Sequence, residues 1–205
     1  MLGLINPYML IISVPAILWA ISFHEFCHGY AAKLLGDPTA EMQGRLTLNP
    51  LRHFDPIGVL MLLFVGFGWA KPIPVNTRYF KNIRRDMFIV AIAGIAGNLL
   101  TAFVVGIIFR FIPMQFLGIG GMLFINAMLG INISLAAFNI LPIPPLDGSK
   151  ILYIFIPFEW LRFYYSLERY GFIILMVLCF TGLIGPIMYP VVSFFGWLVT
   201  FYVYL

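Results

Sequence analysis

Two histidines four residues apart, with a glutamate directly after the first, are the residues of this chain best suited to chemistry: His24-Glu25-Phe26-Cys27-His28. On a helix His24 and His28 stand one turn apart on the same face, as two ligands of one ion must. Glu25 projects about 100° round from His24, near such an ion without having to bind it. This is the H-E-x-x-H arrangement, in which imidazoles hold zinc and the glutamate takes a proton from the attacking water. With three His and four Glu in 205 residues, chance gives roughly one such pattern per thousand chains. The plain alternative is a pair of helix-packing histidines bonded to neighbouring backbone. Against it stands the position of the motif inside an apolar run, where polar groups are costly and usually functional.

Two imidazoles are too few, because catalytic zinc takes three protein ligands and keeps a fourth position open. His53 and several carboxylates could supply the third. The strongest candidate is Asp147, in Asn139-Ile-Leu-Pro142-Ile-Pro144-Pro145-Leu146-Asp147-Gly148. The prolines end the preceding helix, and Gly148 leaves the backbone free to turn the carboxylate inward. Asp147 could instead cap a helix beginning near Gly148. Cys27 lies about 60° from His24 on the flank opposite Glu25, so a thiolate ligand is conceivable and core packing the simpler role. His53, beside Asp55 and Pro56, reads as a substrate or entry contact or as a solvated loop histidine.

The elements that must position these residues are membrane helices. Hydrophobic residues make up 62% of the chain and charged residues 10%, with a mean hydropathy of +1.00. So few charges cannot cover a water-facing surface, and disorder, a disulfide-stapled module and a coiled coil are excluded together. The pattern predicts an all-α polytopic membrane protein in one domain over 1–205, with about five spanning helices. They fall near 7–35, 87–110, 118–141, 170–185 and 186–205, the last two separated at Gly185-Pro186. A Gly-interrupted run at 57–70 is too short to span and suits a re-entrant or hairpin segment. The amino end lacks a basic region and a small-residue cleavage site, so it reads as retained rather than as a signal peptide.

Charge gives an orientation. Eleven of the 12 Lys and Arg lie in 33–86 and 142–169, and only Arg110 falls in the opposite loops. That puts both basic segments in the cytoplasm of a cell-membrane protein, with the amino terminus outside. It also puts Asp147 and His28 on the same side. The net charge of +4 thus reflects topology rather than nucleic acid, and Lys71 to Arg85 reads as a headgroup-facing stretch.

The sequence resembles the site-2 protease family of zinc intramembrane metalloproteases, in its compact form without appended PDZ or CBS domains. The likeness runs from about residue 20 to 150. HEFCH at 24–28 and NILPIPPLDG at 139–148 carry it most specifically, with NPLRHFDPIG at 49–58, AKPIPVN at 70–76 and KNIRRD at 81–86 in support. The resemblance implies one zinc per chain held by His24, His28 and Asp147, with Glu25 as catalytic base. It associates Asn139 with substrate or transition-state contacts. A buried amide there could donate to a developing oxyanion, or simply bond a neighbouring helix. Where the family often has Gly-Pro before an Asn, this chain reads AGIAGNLL, with Ile95 and Ala96. Gly94, Gly97 and Asn98 there read as helix-packing residues.

The expected reaction is hydrolysis of peptide bonds in transmembrane protein substrates, within the bilayer or at its cytoplasmic edge. A helical peptide bond is hidden, so the substrate must unwind, and the KPIPV exit of the 57–70 segment could offer an edge for strand addition. By resemblance, substrates are single-span proteins already trimmed outside the membrane. A metal or proton transporter using the same His/Asp site is the competing class, but it predicts polar sites along several spans, and the later spans offer almost none. A non-catalytic zinc-stabilised binding protein is a third, disfavoured by Glu25.

Overall fold

The structure is a computed structural model that describes residues 7–65 and 68–204. Its eight α-helices are α1 (Pro7–Leu34), α2 (Thr39–Met42), α3 (Pro56–Val65), α4 (Ile83–Phe111), α5 (Gly118–Asn139), α6 (Asp147–Tyr153), α7 (Leu161–Phe180) and α8 (Ile184–Tyr204). Among the described residues five segments are long and apolar enough to cross a membrane, within α1, α4, α5, α8 and the stretch Phe158–Phe180 that contains α7. Among the described residues there is no β-strand, only a single antiparallel bridge between Phe54 and Ala70. The chain is an all-α, multi-pass membrane protein.

Helices α1, α4 and α5 pack against one another, and α8 lies against α4 and α5. Small residues make this possible. Ala16, Ala20 and Ala32 of α1, Ala91 and Ala102 of α4, and Ala136 and Ala137 of α5 are all fully buried. Lipid supplies no hydrophobic drive between helices, so close backbone approach and buried polar contacts must hold them. Ile95, Ile133, Phe195 and Val199 fill the space that remains. Because α1 ends, α4 begins and α5 ends at the same end of the bundle, the HEFCH motif, the first turns of α4 and Asp147 are brought together there.

Two boundaries differ from the sequence expectation. Helix α7 starts at Leu161 rather than near 170, because Arg162, Glu168 and Arg169 lower the local hydropathy without breaking the helix. The turn before α8 is made by Gly182, at φ +75°. Gly185 and Pro186 lie inside the first turn of α8, where a missing N–H costs nothing.

The 57–70 segment is mostly the ten-residue helix α3, about 15 Å long and half a bilayer core; Gly66 and Phe67 lie outside the described residues. Asp55 starts it, its Oδ1 accepting from the backbone N–H groups of Ile57 and Gly58. The Phe54–Ala70 bridge and a Lys71 N–H donated to the His53 carbonyl (2.9 Å) bring its two ends back together. From there residues 71–76 run as an extended strap across α1. Arg45 donates from Nη2 to the Lys71 and Pro72 carbonyls (2.9 and 3.2 Å). At the far end Asp37 accepts the Asn76 N–H on Oδ2 (2.7 Å), while its Oδ1 accepts from the Thr39 N–H and hydroxyl.

Asp37 is buried, so its loss leaves unpaired backbone donors rather than a solvated gap. Asp37→Ala should cost about 1–3 kcal/mol, a fall of several degrees in the unfolding temperature of the detergent-solubilised protein. An unchanged midpoint would show that the strap is not anchored there.

Candidate metal centre

Three side chains from two elements converge at the shared end of the bundle. His24 Nε2 and His28 Nε2 are 2.9 Å apart. Asp147 Oδ2 is 3.1 Å from the first and 2.9 Å from the second. All three residues are about 95% buried. Tetrahedral zinc would set its ligand atoms about 3.3 Å apart, so these lie within a few tenths of an ångström of a ligand set. Among the described residues they form the one group of His, Cys, Asp and Glu side chains able to hold a metal ion.

The hydrogen bonds behind the imidazoles decide what the Nε2 atoms can offer. His28 Nδ1 lies 2.7 Å from the Val90 carbonyl, which can only accept, so Nδ1 carries the proton. His24 Nδ1 lies 2.7 Å from Asn98 Oδ1 and donates to it. In the neutral rings both Nε2 atoms therefore present lone pairs, and they face a carboxylate oxygen. That donor set fits a divalent cation, and zinc accepts two imidazoles and a carboxylate.

Helix α4 supplies no ligand but makes the room. A Cβ on Gly94 would sit 2.5 Å from His28 Nε2 and 2.7 Å from His24 Cε1, so any side chain there displaces both rings. Val90, Gly94 and Asn98 recur every fourth residue and form one stripe of α4 facing the site. The reading of AGIAGNLL as packing alone is thus too narrow. Its Gly94 clears the imidazoles and its Asn98 bonds one of them.

Asp147 arrives by a tight return of the chain. The segment 140–146 folds back after α5, with Leu141 and Leu146 buried against Leu175. Gly148 packs on the Ile140 and Leu141 carbonyls, where a Cβ would collide; close approach rather than an unusual φ calls for glycine. The capping alternative falls, because Leu146 is the N-cap residue of α6 and Asp147 opens the helix itself. Its second oxygen, Oδ1, accepts from Lys150 Nζ at 3.0 Å.

Glu25 is half-buried and tied to the strap: Ile73 N–H donates to its Oε2 at 2.7 Å. The strap's N–H groups are thereby largely spoken for. Lys71 gives to His53, Ile73 to Glu25 and Asn76 to Asp37, while Pro72 and Pro74 have none. At KPIPV the Lys71 and Ile73 N–H groups are therefore not free to pair with an added strand.

The other candidates fall elsewhere. Asn139 is half-buried and donates to the Leu135 carbonyl of its own helix (3.1 Å). Cys27 lies against Gly97, outside the ligand group. His53 is not solvated. It is completely buried, and its Nε2 donates to the Thr47 carbonyl at 2.8 Å. Sequence reasoning passed over Asn132, also completely buried and bonded to Asn98; the signal was an amide in the middle of an apolar span.

Comparison with known proteins fits this geometry. The model of Peptidase family M50 matches residues 114–182, which include Asp147. "Putative zinc metalloprotease YwhC" of Bacillus subtilis is 38% identical over 193 residues, covering 91% of this chain and 86% of that protein. Two more proteins carry the same description. Rip2 of Mycolicibacterium smegmatis is 29% identical over 185 residues, 87% of this chain and 70% of its own. MJ0611 of Methanocaldococcus jannaschii is 32% identical over 152 residues, 73% of each. No solved structure matches the chain. Similarity of this extent, over most of both chains, is what common membership produces: the chain belongs to peptidase family M50, the site-2 proteases.

Proposed function

We propose that this protein is a zinc-dependent protease that hydrolyses peptide bonds of membrane-embedded protein substrates, with His24, His28 and Asp147 holding one zinc and Glu25 moving the proton. The observation that carries it is the meeting of two imidazole lone pairs and a carboxylate oxygen at one buried point, with a second carboxylate next to it in sequence. Zinc, when bound, supplies Lewis acidity toward the scissile carbonyl and makes a nearby water more acidic.

The remaining work falls to the chain. Glu25 accepts the proton of the attacking water and returns it to the departing amine. The Ile73 N–H holds Oε2 in place and so directs the other oxygen of Glu25. Burial of both imidazoles and of Asp147 keeps bulk water away from the reacting bond. The concentration of eleven of the 12 basic residues in 33–86 and 142–169 supports a site toward the cytoplasmic side of the cell membrane, with the amino terminus outside. Asn139 stands at the end of α5 as a candidate substrate contact. Transport of a metal or proton is not favoured, since the ligating side chains gather in one centre rather than along a path.

Purified wild type and Glu25→Gln should each bind one zinc, while only wild type cleaves a labelled transmembrane substrate, the variant losing about 10²–10⁴-fold in turnover. Equal cleavage by both, or no zinc in either, would overturn the proposal. Gly94→Ala should retain its helical circular dichroism and lose stoichiometric zinc, read by metal analysis after desalting. Ile73→Pro removes one N–H where the chain is already extended between two prolines. It should lower turnover by about tenfold or more at unchanged zinc content, whereas Ile73→Ala, which keeps the N–H, should retain more of it.

A further inference from the structure

Behind His24 lies a chain of amides that crosses three helices. Asn98 of α4 and Asn132 of α5 are both completely buried. Asn132 Nδ2 lies 2.8 Å from the Met128 carbonyl. Asn98 Nδ2 lies 3.0 Å from Asn132 Oδ1 and 3.0 Å from the Ala20 carbonyl of α1. Asn98 Oδ1 lies 2.7 Å from His24 Nδ1.

The direction of every bond in this chain follows from its far end. A backbone carbonyl can only accept, so Asn132 must turn its NH₂ toward Met128 and its oxygen toward Asn98. Asn98 must then turn its NH₂ toward Asn132, as the Ala20 carbonyl independently requires, and its oxygen toward His24. An amide oxygen can only accept, so His24 must carry its proton on Nδ1. In the neutral ring its Nε2 is then left with a lone pair aimed at His28 and Asp147. His28 needs no such relay, because the Val90 carbonyl meets its Nδ1 directly.

We infer that Asn98, oriented by Asn132, is a positioning residue that fixes the tautomer and ring rotation of His24 for metal binding. The inference rests on the reading of His24 as a zinc ligand. Partners that hold the second nitrogen of a metal-bound imidazole raise its basicity and lock its orientation, and their loss commonly weakens metal binding 10–100-fold. A side chain kept only for helix packing would not need its two ends turned in a fixed sense. Here the sense is dictated from a carbonyl two residues removed from the ring.

The test uses the full chain in detergent and compares wild type with Asn98→Leu, Asn98→Asp, Asn132→Leu and His24→Ala. Zinc affinity is read by competition with a chromophoric chelator, and the unfolding temperature of each metal-free protein is measured alongside. Asn98→Leu should weaken zinc about 10–100-fold. Asn98→Asp, which keeps an acceptor facing Nδ1, should recover most of that loss even if its metal-free stability falls as far. Asn132→Leu should have a smaller effect, because the Ala20 carbonyl still orients Asn98. With only three histidines in the chain, ¹⁵N-histidine spectra of the zinc-loaded protein can follow the ring itself, and the Nδ1-protonated signal of His24 should be altered in Asn98→Leu and retained in Asn98→Asp. Zinc affinity unchanged in Asn98→Leu, or no better in Asn98→Asp than in Asn98→Leu, would overturn the inference. Unchanged affinity in His24→Ala would instead overturn the ligand assignment on which it rests.

Discussion

Two imidazole nitrogens and a carboxylate oxygen face one another within about 3 Å, and with neutral rings all three carry lone pairs and none a proton to share. In an apolar bundle such an arrangement repels itself unless a cation lies between them. Much of the surrounding structure serves to impose it. Val90 and Asn98 take the far nitrogens, Lys150 takes the outer oxygen of Asp147, and Gly94 gives up its side chain so that both rings can lie against α4. The small residues at the α1, α4 and α5 contacts let three backbones come close enough for these reaches to be made.

Glu25, the proposed acid–base group, is held by different means. The three residues of the candidate metal centre come from helices and a tight return, but Glu25 is oriented from a loop, through one backbone N–H of the strap. The strap is in turn fixed from three sides, by the His53 carbonyl, Arg45 and Asp37. Charged and polar residues far from Glu25 in sequence thus converge on the placing of one carboxylate. This is a reason for Arg45, Asp37 and His53 to be buried in a chain with so few charges.

What could be read from sequence was whatever depends on local spacing. HEFCH needs only the period of one helix to set two imidazoles on one face with a carboxylate beside them, and the apolar runs give five spans by length alone. Asp147 was reachable because its loop, rich in prolines and closed by Gly148, had to return toward the same side. What could not be read depends on which helix faces which. Asn98 in an apolar span announces a need for polar partners, yet nothing in AGIAGNLL says that one of them is His24. His53 sits between Arg52 and Asp55, neighbours that suggest solvent, yet the fold leaves it completely buried. Arg45 counted as one more topogenic charge until the carbonyls of Lys71 and Pro72 were placed beside it.

The stripe of Val90, Gly94 and Asn98 has a consequence for how the molecule can change shape. A slip of α4 by one residue would move the stripe about 1.5 Å along the axis and turn it about 100°, taking the acceptor from each histidine and bringing a side chain down on both rings. The helix that contributes no ligand is therefore the one whose register has least freedom. The three side chains of the centre thus stand as a fixed tripod, whose legs are set by the register of a helix they do not belong to.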